Sequence, residues 1–174
     1  MTSATALTDR TFKSSTAKAV EKLEQANGFQ TPRVLCIDDD PDVSRSIQLR
    51  LGRYGLDVSA AYFGTQGFWE ATTNHPDLII MDLAMPNGNG EFVLSSIRAN
   101  THTQQIPIIV LTGMRDPKLK KQILSAGADE FLTKPVEFCE LLEVISRYVK
   151  VPEIPPDEQS TFEKRRRRMR RRSR

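Results

Sequence analysis

In VLCIDDDPD, residues 34–42, four apolar residues run directly into three aspartates, a proline and a fourth aspartate. Carboxylates crowded together raise one another's pKa and resist ionisation, so a cluster placed at the end of an apolar run needs a physical cause. The run itself reads as a strand buried on both faces, because VLCI shows no apolar–polar alternation. Cys36, inside it, reads as a reduced core thiol. With Cys139 as the second and last cysteine, the chain has too few for a disulfide framework.

Four further apolar runs follow: LDVSAAY (56–62), DLIIMDL (77–83), PIIVLT (107–112) and EFLT (130–133). Successive runs start between 21 and 30 residues apart, which leaves room each time for a helix and two turns. The intervening stretches carry helical spacing. Val43, Ile47 and Leu51 recur every four residues after DPD, and Gly55 closes that helix. Phe68 and Ala71 mark the second stretch, which ends at NHP; Phe92, Val93 and Ile97 mark the third. Leu119, Ile123 and Leu124 mark the fourth, ended by Gly127, and Phe138, Leu141, Leu142, Ile145 and Val149 the fifth. All of these positions are expected to pack in a core. Five strand–helix units predict an α/β sandwich around a parallel sheet.

The expected organisation is an N-terminal extension over 1–31, a domain over 32–150, and a linker with a basic tail over 151–174. Within the extension, AKAVEKLEQAN suggests a short helix, with Val20 and Leu23 on one side. After Val151, PEIPPDEQS is proline-rich and polar, hence a linker. The last twelve residues, EKRRRRMRRRSR, hold nine basic residues and one acidic one, so a whole-chain charge of +3 conceals a body at −5. A run of adjacent arginines repels itself and is expected to be disordered when free. It suits nucleic acid or an acidic surface, bound in a salt-dependent way, and the absence of interleaved aromatics argues against sequence reading. A composition 39% apolar and 27% charged suits a soluble globular chain. No apolar run approaches the roughly 18 residues of a membrane span, and the N-terminus lacks a secretory pattern. A cytoplasmic protein without membrane insertion is expected.

In a parallel sheet, whatever follows each strand collects at one edge, where ligands bind. The first strand ends in Asp38, Asp39 and Asp40, the third in Asp82, the fourth in Thr112, and the fifth in Lys134 and Pro135. Several carboxylates, a hydroxyl and an ammonium therefore converge. A hard divalent cation reverses the penalty of the acidic cluster, and Mg²⁺ prefers oxygen ligands, usually one or two carboxylates with a phosphate. Part of the acid has a simpler use. Asp40 or Asp42 suits the cap of the following helix, leaving Asp38 and Asp39 for metal.

VLCIDDD, LIIMDLAMPNGNGEF, PIIVLTG and AGADEFLTKP, in this order and spacing, resemble a response-regulator receiver domain, the phosphoacceptor half of two-component signalling. The resemblance spans about 33–149, roughly two thirds of the chain. It implies the (βα)₅ flavodoxin-like three-layer sandwich, with a five-stranded parallel sheet in the order 2-1-3-4-5. It implies Asp82 as phosphoacceptor, Asp39 as the principal acidic Mg²⁺ ligand with Asp38 assisting, and the backbone carbonyl of Ala84 completing the protein's share of the metal shell. Thr112 would hydrogen-bond one phosphoryl oxygen and Lys134 would pair with another. Pro135 would follow a cis peptide bond, and Pro86 and Gly90 would shape the loop after Asp82. On activation, Thr112 would move toward the phosphoryl group and Phe131 would rotate inward. The face around the fourth helix, fifth strand and fifth helix would then change shape. Phe131 stands where the family commonly has tyrosine, so contacts through that hydroxyl are absent.

The implied partners are a sensor histidine kinase or histidine phosphotransfer protein as donor and a downstream effector, with residues 164–174 as a non-specific nucleic-acid or acidic-surface contact. The implied chemistry is the domain's own phosphotransfer and slow self-dephosphorylation, not turnover of a substrate. Only 23 residues follow Val151, so a stand-alone receiver is expected. A haloacid-dehalogenase-type phosphatase using Asp38 and Asp40 is the competing enzyme reading, although Asp42 stands where that pattern has Thr or Val. A third reading is an unphosphorylated receiver-like scaffold acting through its basic tail.

Overall fold

The computed structural model describes residues 30–85 and 88–152, together with Gln159 and Lys164. The short helix expected within 17–27, the arginine tail and nearly all of the proline-rich linker lie outside the described residues. Strands and helices alternate as β1 (Arg33–Ile37), α1 (Pro41–Gly52), β2 (Asp57–Ala61), α2 (Gly64–Asn74), β3 (Leu78–Met81), α3 (Gly90–Ala99), β4 (Ile108–Thr112), α4 (Pro117–Ser125), β5 (Glu130–Thr133) and α5 (Phe138–Ile145). The five strands form one parallel sheet in the order β2-β1-β3-β4-β5. This is the expected flavodoxin-like order. Between β3 and α3, Ala84–Met85 pairs antiparallel with Gly88–Asn89.

Successive side chains of a strand point to opposite faces, and the core follows that rule. Leu35, Ile37, Ile79, Met81, Ile108 and Val110 pack with residues of α2, α3 and α4, among them Ala71, Ile97 and Ile123. Val34, Cys36, Leu78, Ile80, Ile109 and Leu111 face the other way, against Ile47 and Leu51 of α1 and Leu141, Leu142 and Ile145 of α5. Three helices therefore cover one face and two the other. The central strands β3 and β4 are buried along their whole length, whereas the edge strand β2 alternates. Burial pushes the Cys36 thiol up to about 12, which fits an inert core thiol. Among the described residues no helix is long and apolar enough to cross a membrane.

Two expected core positions are corrected. Phe92 is 70% exposed and Leu124 is 38% exposed. In α3 the buried stripe is Val93, Leu94 and Ile97; this i, i+1, i+4 set turns residue 92 outward. In α4 the stripe is Leu119 and Ile123, so Leu124, one residue further round, lies at its margin. The alternative between Asp40 and Asp42 as helix cap is also resolved. The Asp40 carboxylate accepts the amides of Asp42 and Val43, and Pro41 opens the helix.

Gly67 lets α2 lie directly on β1. A β-carbon there would meet Ile37 Cδ1 at 2.5 Å, Cγ2 at 2.8 Å and Cγ1 at 2.9 Å. Alanine is the better helix former by about 1 kcal/mol, but overpacking a core costs about 1–3 kcal/mol. Gly67→Ala is expected to destabilise the fold by about 1 kcal/mol in urea titration. The cost should shrink in the Ile37→Val background, where the nearest carbon is gone; equal costs in both backgrounds would exclude Ile37 as the limiting contact.

Candidate functional site

The pairing of Ile37 with Met81 makes Asp38 and Asp82 the next residues past two adjacent strand ends. Their backbones stay in line: the Asp38 amide donates to the Ala61 carbonyl at 3.0 Å and the Asp82 amide to the Ile37 carbonyl at 2.9 Å. Thr112, the last residue of β4, pairs with Thr133 of β5, and its carbonyl accepts the Lys134 amide at 2.8 Å. The sheet thus delivers Asp38, Asp82, Thr112 and Lys134 to one edge through register alone. The Lys134–Pro135 bond is cis.

At that edge the Lys134 Nζ lies 2.7 Å from Asp38 Oδ2 and 2.7 Å from Asp82 Oδ2. The other oxygen of each acid takes a backbone amide two residues on: Asp40 N to Asp38 Oδ1 and Ala84 N to Asp82 Oδ1, both at 3.0 Å. Asp38 and Asp82 are buried and Asp39 is exposed, yet carboxylate oxygens of all three lie within 4.8 Å of one another. Lys134, 96 residues beyond Asp38 in the chain, pairs with two of these acids, while Asp39 makes no ion pair among the described residues.

The environment separates the two buried acids. Burial pushes Asp38 up, and neither Lys134 nor the Asp40 amide fully offsets it, so its carboxyl lies above the ordinary range. Burial acts on Asp82 in the same direction. There the Ala84 amide, the Lys134 ammonium and the Thr112 hydroxyl outweigh it, and the carboxyl lies below the ordinary range. Burial alone would lower Lys134; its bonds to the two carboxylates reverse that and raise it. Asp82 is therefore the buried acid held firmly as a carboxylate, with both oxygens fixed.

The structure brings every described site candidate to this edge or to the adjoining strand. Asp38, Asp39, Asp82 and Lys134 form the cluster. Ala84 is exposed at its rim, and Thr112 is fully buried beside it, its Oγ1 accepting the Met114 amide at 3.4 Å. Phe131 pairs with Val110 in the sheet and is buried to 7% exposure. Pro86 lies outside the described residues. Asp40, the second acid a dehalogenase-type phosphatase would need, is occupied as a helix cap.

Two supporting residues were not singled out from the sequence. Ser44 is fully buried, its hydroxyl 3.8 Å from Cys36 Sγ and donating to the Asp38 carbonyl at 3.5 Å; its i, i+3, i+7 relation to Ile47 and Leu51 was the available sign. Gly90 had been expected to shape the loop after Asp82, and the structure shows how. A β-carbon at Gly90 would lie 2.5 Å from Leu83 Cα and 2.9 Å from the Asp82 carbonyl oxygen, so only glycine lets α3 start there. The amide of Met114 on Thr112 was the other contact not foreseen.

Comparison with known proteins agrees with this geometry. Residues 34–146 match the model of the response regulator receiver domain family. The chain is 39% identical over 111 residues to the DNA-binding dual master transcriptional regulator RpaA of Synechocystis, a match covering 64% of this chain and 46% of that protein. The chain thus spans about half the length of the curated relatives it matches. Among solved structures, Vibrio cholerae chemotaxis protein CheY4 superposes with a TM-score of 0.65 at 27% identity, covering 69% of this chain and all of that one. The receiver domain of sensor histidine kinase PA1611 from Pseudomonas aeruginosa, solved with magnesium coordinated in its active site cleft, gives 0.63 at 28% identity over 68% and 98% of the two chains. A family match across most of the described sheet and helices, on a fold that gathers these acids and this lysine at one edge, makes the chain a member of the response regulator receiver family of two-component signalling.

Proposed function

We propose that Asp82 accepts a phosphoryl group from a phosphohistidine of a sensor kinase or histidine phosphotransfer protein. The observation that carries this reading is the Lys134 ammonium, 2.7 Å from both Asp38 and Asp82. It neutralises charge beside a carboxylate already fixed by the Ala84 amide. In the transfer, an Asp82 oxygen attacks phosphorus, the phosphorus–nitrogen bond breaks, and the imidazole leaves with the electron pair. A carboxylate is a weak nucleophile that becomes useful when the electrophile is held in line. Charge spreads over the equatorial phosphoryl oxygens, within reach of Lys134 and the Thr112 hydroxyl.

The donor set suits Mg²⁺: of three clustered carboxylates, two share one ammonium and Asp39 has none, which leaves net negative charge for a hard cation. Asp39 and Asp82 would hold it, with Asp38 assisting and the Ala84 carbonyl contributing. The ion would supply neutralisation of phosphoryl charge. The magnesium found in the PA1611 receiver domain supports this assignment. Thr112 and Phe131 form the switch, and the face of α4, β5 and α5 is the output surface. Phosphate biases that face only by binding one arrangement better than the other. The domain performs its own transfer and slow hydrolysis rather than turnover. We propose a cytoplasmic location, a receiver domain over 32–150 between the extension at 1–31 and the tail at 151–174, and a salt-dependent contact of 164–174 with nucleic acid or an acidic surface.

Incubation with acetyl phosphate and magnesium is expected to add one phosphoryl group by intact mass, and none to Asp82→Asn; equal gains in both proteins would remove Asp82 from the role. Magnesium alone should raise the thermal midpoint. At ten times its dissociation constant the linked stabilisation is about 1.4 kcal/mol, and Asp39→Asn should lose most of it. An unchanged midpoint in the wild-type protein would argue against the metal site. Ala84 is exposed at the rim and offers no polar side chain beside the attacking water. Ala84→Asn and Ala84→Glu are expected to alter the lifetime of the phosphorylated form in a radiolabel decay assay. Identical lifetimes for all three proteins would discount that position.

A further inference from the structure

The chain has two histidines, and the fold sets them side by side. His75 ends α2, and His102 lies 27 residues later in the connection from α3 to β4. Their ring centres are 6.3 Å apart, with the ring planes tilted by 54°. Both residues are exposed, and among the described residues neither imidazole has a hydrogen-bond or ion-pair partner. His75 precedes β3 and His102 precedes β4, whereas Asp82 and Thr112 stand at the exits of those strands. The pair therefore lies at the edge of the sheet opposite the acids.

Each ring stands on a backbone that is held. Among the described residues His75 is the only non-glycine residue with positive φ, at φ 45° and ψ 65°. The left-handed region is unfavourable for an L-residue, and the proline that follows restricts His75 further. The Arg33 guanidinium donates to the His75 carbonyl at 3.0 Å, and Pro76 is buried. Across the gap, the His102 amide donates to the side-chain oxygen of Asn100 at 2.9 Å. The next residue, Thr103, is fully buried, its hydroxyl donating to the Ile97 carbonyl at 2.8 Å. Unfavourable backbone of the kind seen at His75 persists where its surroundings over-determine it, and it gathers at binding sites.

We propose that His75 and His102 together bind one divalent transition-metal ion of the zinc type, each through one ring nitrogen. Imidazole is a ligand for zinc, copper and nickel, whereas Mg²⁺ prefers oxygen. A metal about 2.0–2.1 Å from each nitrogen stands roughly 3.2 Å from each ring centre, so two rings on one ion have centres at most roughly 6.4 Å apart. The observed 6.3 Å meets that limit. Rotation of two exposed side chains closes it toward the roughly 5 Å of a tetrahedral angle. Among the described residues no third His, Cys, Asp or Glu joins the pair, so water fills the remaining positions. The ion ties the end of α2 to the connection after α3. Ligand chemistry thus sorts two kinds of cation to opposite edges of one sheet.

The test titrates the full chain, without an added affinity tag, with Zn²⁺ in excess Mg²⁺, which competes at the acids. Proton NMR follows the imidazole resonances, which come from two residues in the whole chain. Both sets are expected to move together on one isotherm that ends at one equivalent. Asparagine tolerates the left-handed region, so His75→Asn keeps the backbone while removing the ligand. His75→Asn and His102→Gln are each expected to weaken zinc binding about ten-fold or more, and Asp39→Asn to leave the shared isotherm in place. Resonances that move at different zinc concentrations, or not at all, overturn the proposal. So does unchanged affinity in either histidine variant, which would place the ion on Cys139 or the acids, and so does loss of the isotherm in Asp39→Asn. The wild-type titration decides by itself, so a variant that failed to fold would not shelter the pair from the result.

Discussion

The Lys134 ammonium, 2.7 Å from Asp38 and 2.7 Å from Asp82, is what permits two carboxylates to be buried side by side. Removing one partner from a buried charge pair is more costly than never forming it, because the remaining charges are left uncompensated. Lysine arrives there from β5, with β4 and β3 lying between that strand and β1. The long stem crosses this distance while the main chain stays tied to Thr112 by a 2.8 Å bond. The edge strand and the centre of the sheet are therefore coupled through one side chain. Any shift of β5 that withdraws Lys134 leaves Asp38 and Asp82 facing each other without it.

That coupling explains why the register matters more than any single contact. Ile37 pairs with Met81, Met81 with Val110, Val110 with Phe131. This one row across the sheet runs directly beneath the acids and ends on the ring under Lys120. A slip of one residue would turn every side chain to the opposite face, sending Asp38 and Asp82 into an apolar layer. The apolar continuity of β1, β3 and β4 and the polar residues after them specify the same register, so core and site reinforce each other.

Much of this is legible in the sequence. The unalternating runs at 34–37 and 107–112 identified strands buried on both faces, and their order along the chain brought Asp38, Asp82, Thr112 and Lys134 to one edge. Phe92 and Leu124 were misread because apolar identity at helical spacing does not show where a buried stripe ends. The stripe is set by the neighbouring helix, which sequence does not reveal. Gly67 was silent for a similar reason: its use is the 2.5 Å gap to Ile37, a property of two elements far apart in sequence. The choice between Asp40 and Asp42 stayed open because both precede the same helix. Only the bonds from the Asp42 and Val43 amides to Asp40 decide it.

The two buried acids also show how similar residues acquire different characters at one site. Both lose water and both touch Lys134, yet burial dominates Asp38 while three hydrogen-bonding groups dominate Asp82. The difference lies on the side away from the lysine. Asp82 receives the Ala84 amide and the influence of the Thr112 hydroxyl, whereas Asp38 receives the Asp40 amide and stands closer to the core through the Ser44 contact with its carbonyl. The better-stabilised anion is also the one nearest the loop that Gly90 allows to fold closely against Leu83. Helix α3, the loop and the Asp82 carboxylate are thus joined by backbone contacts that no side-chain rearrangement can relax. Of the groups around the Asp82 carboxylate, only the side chains of Lys134 and Thr112 are therefore free to adjust to it.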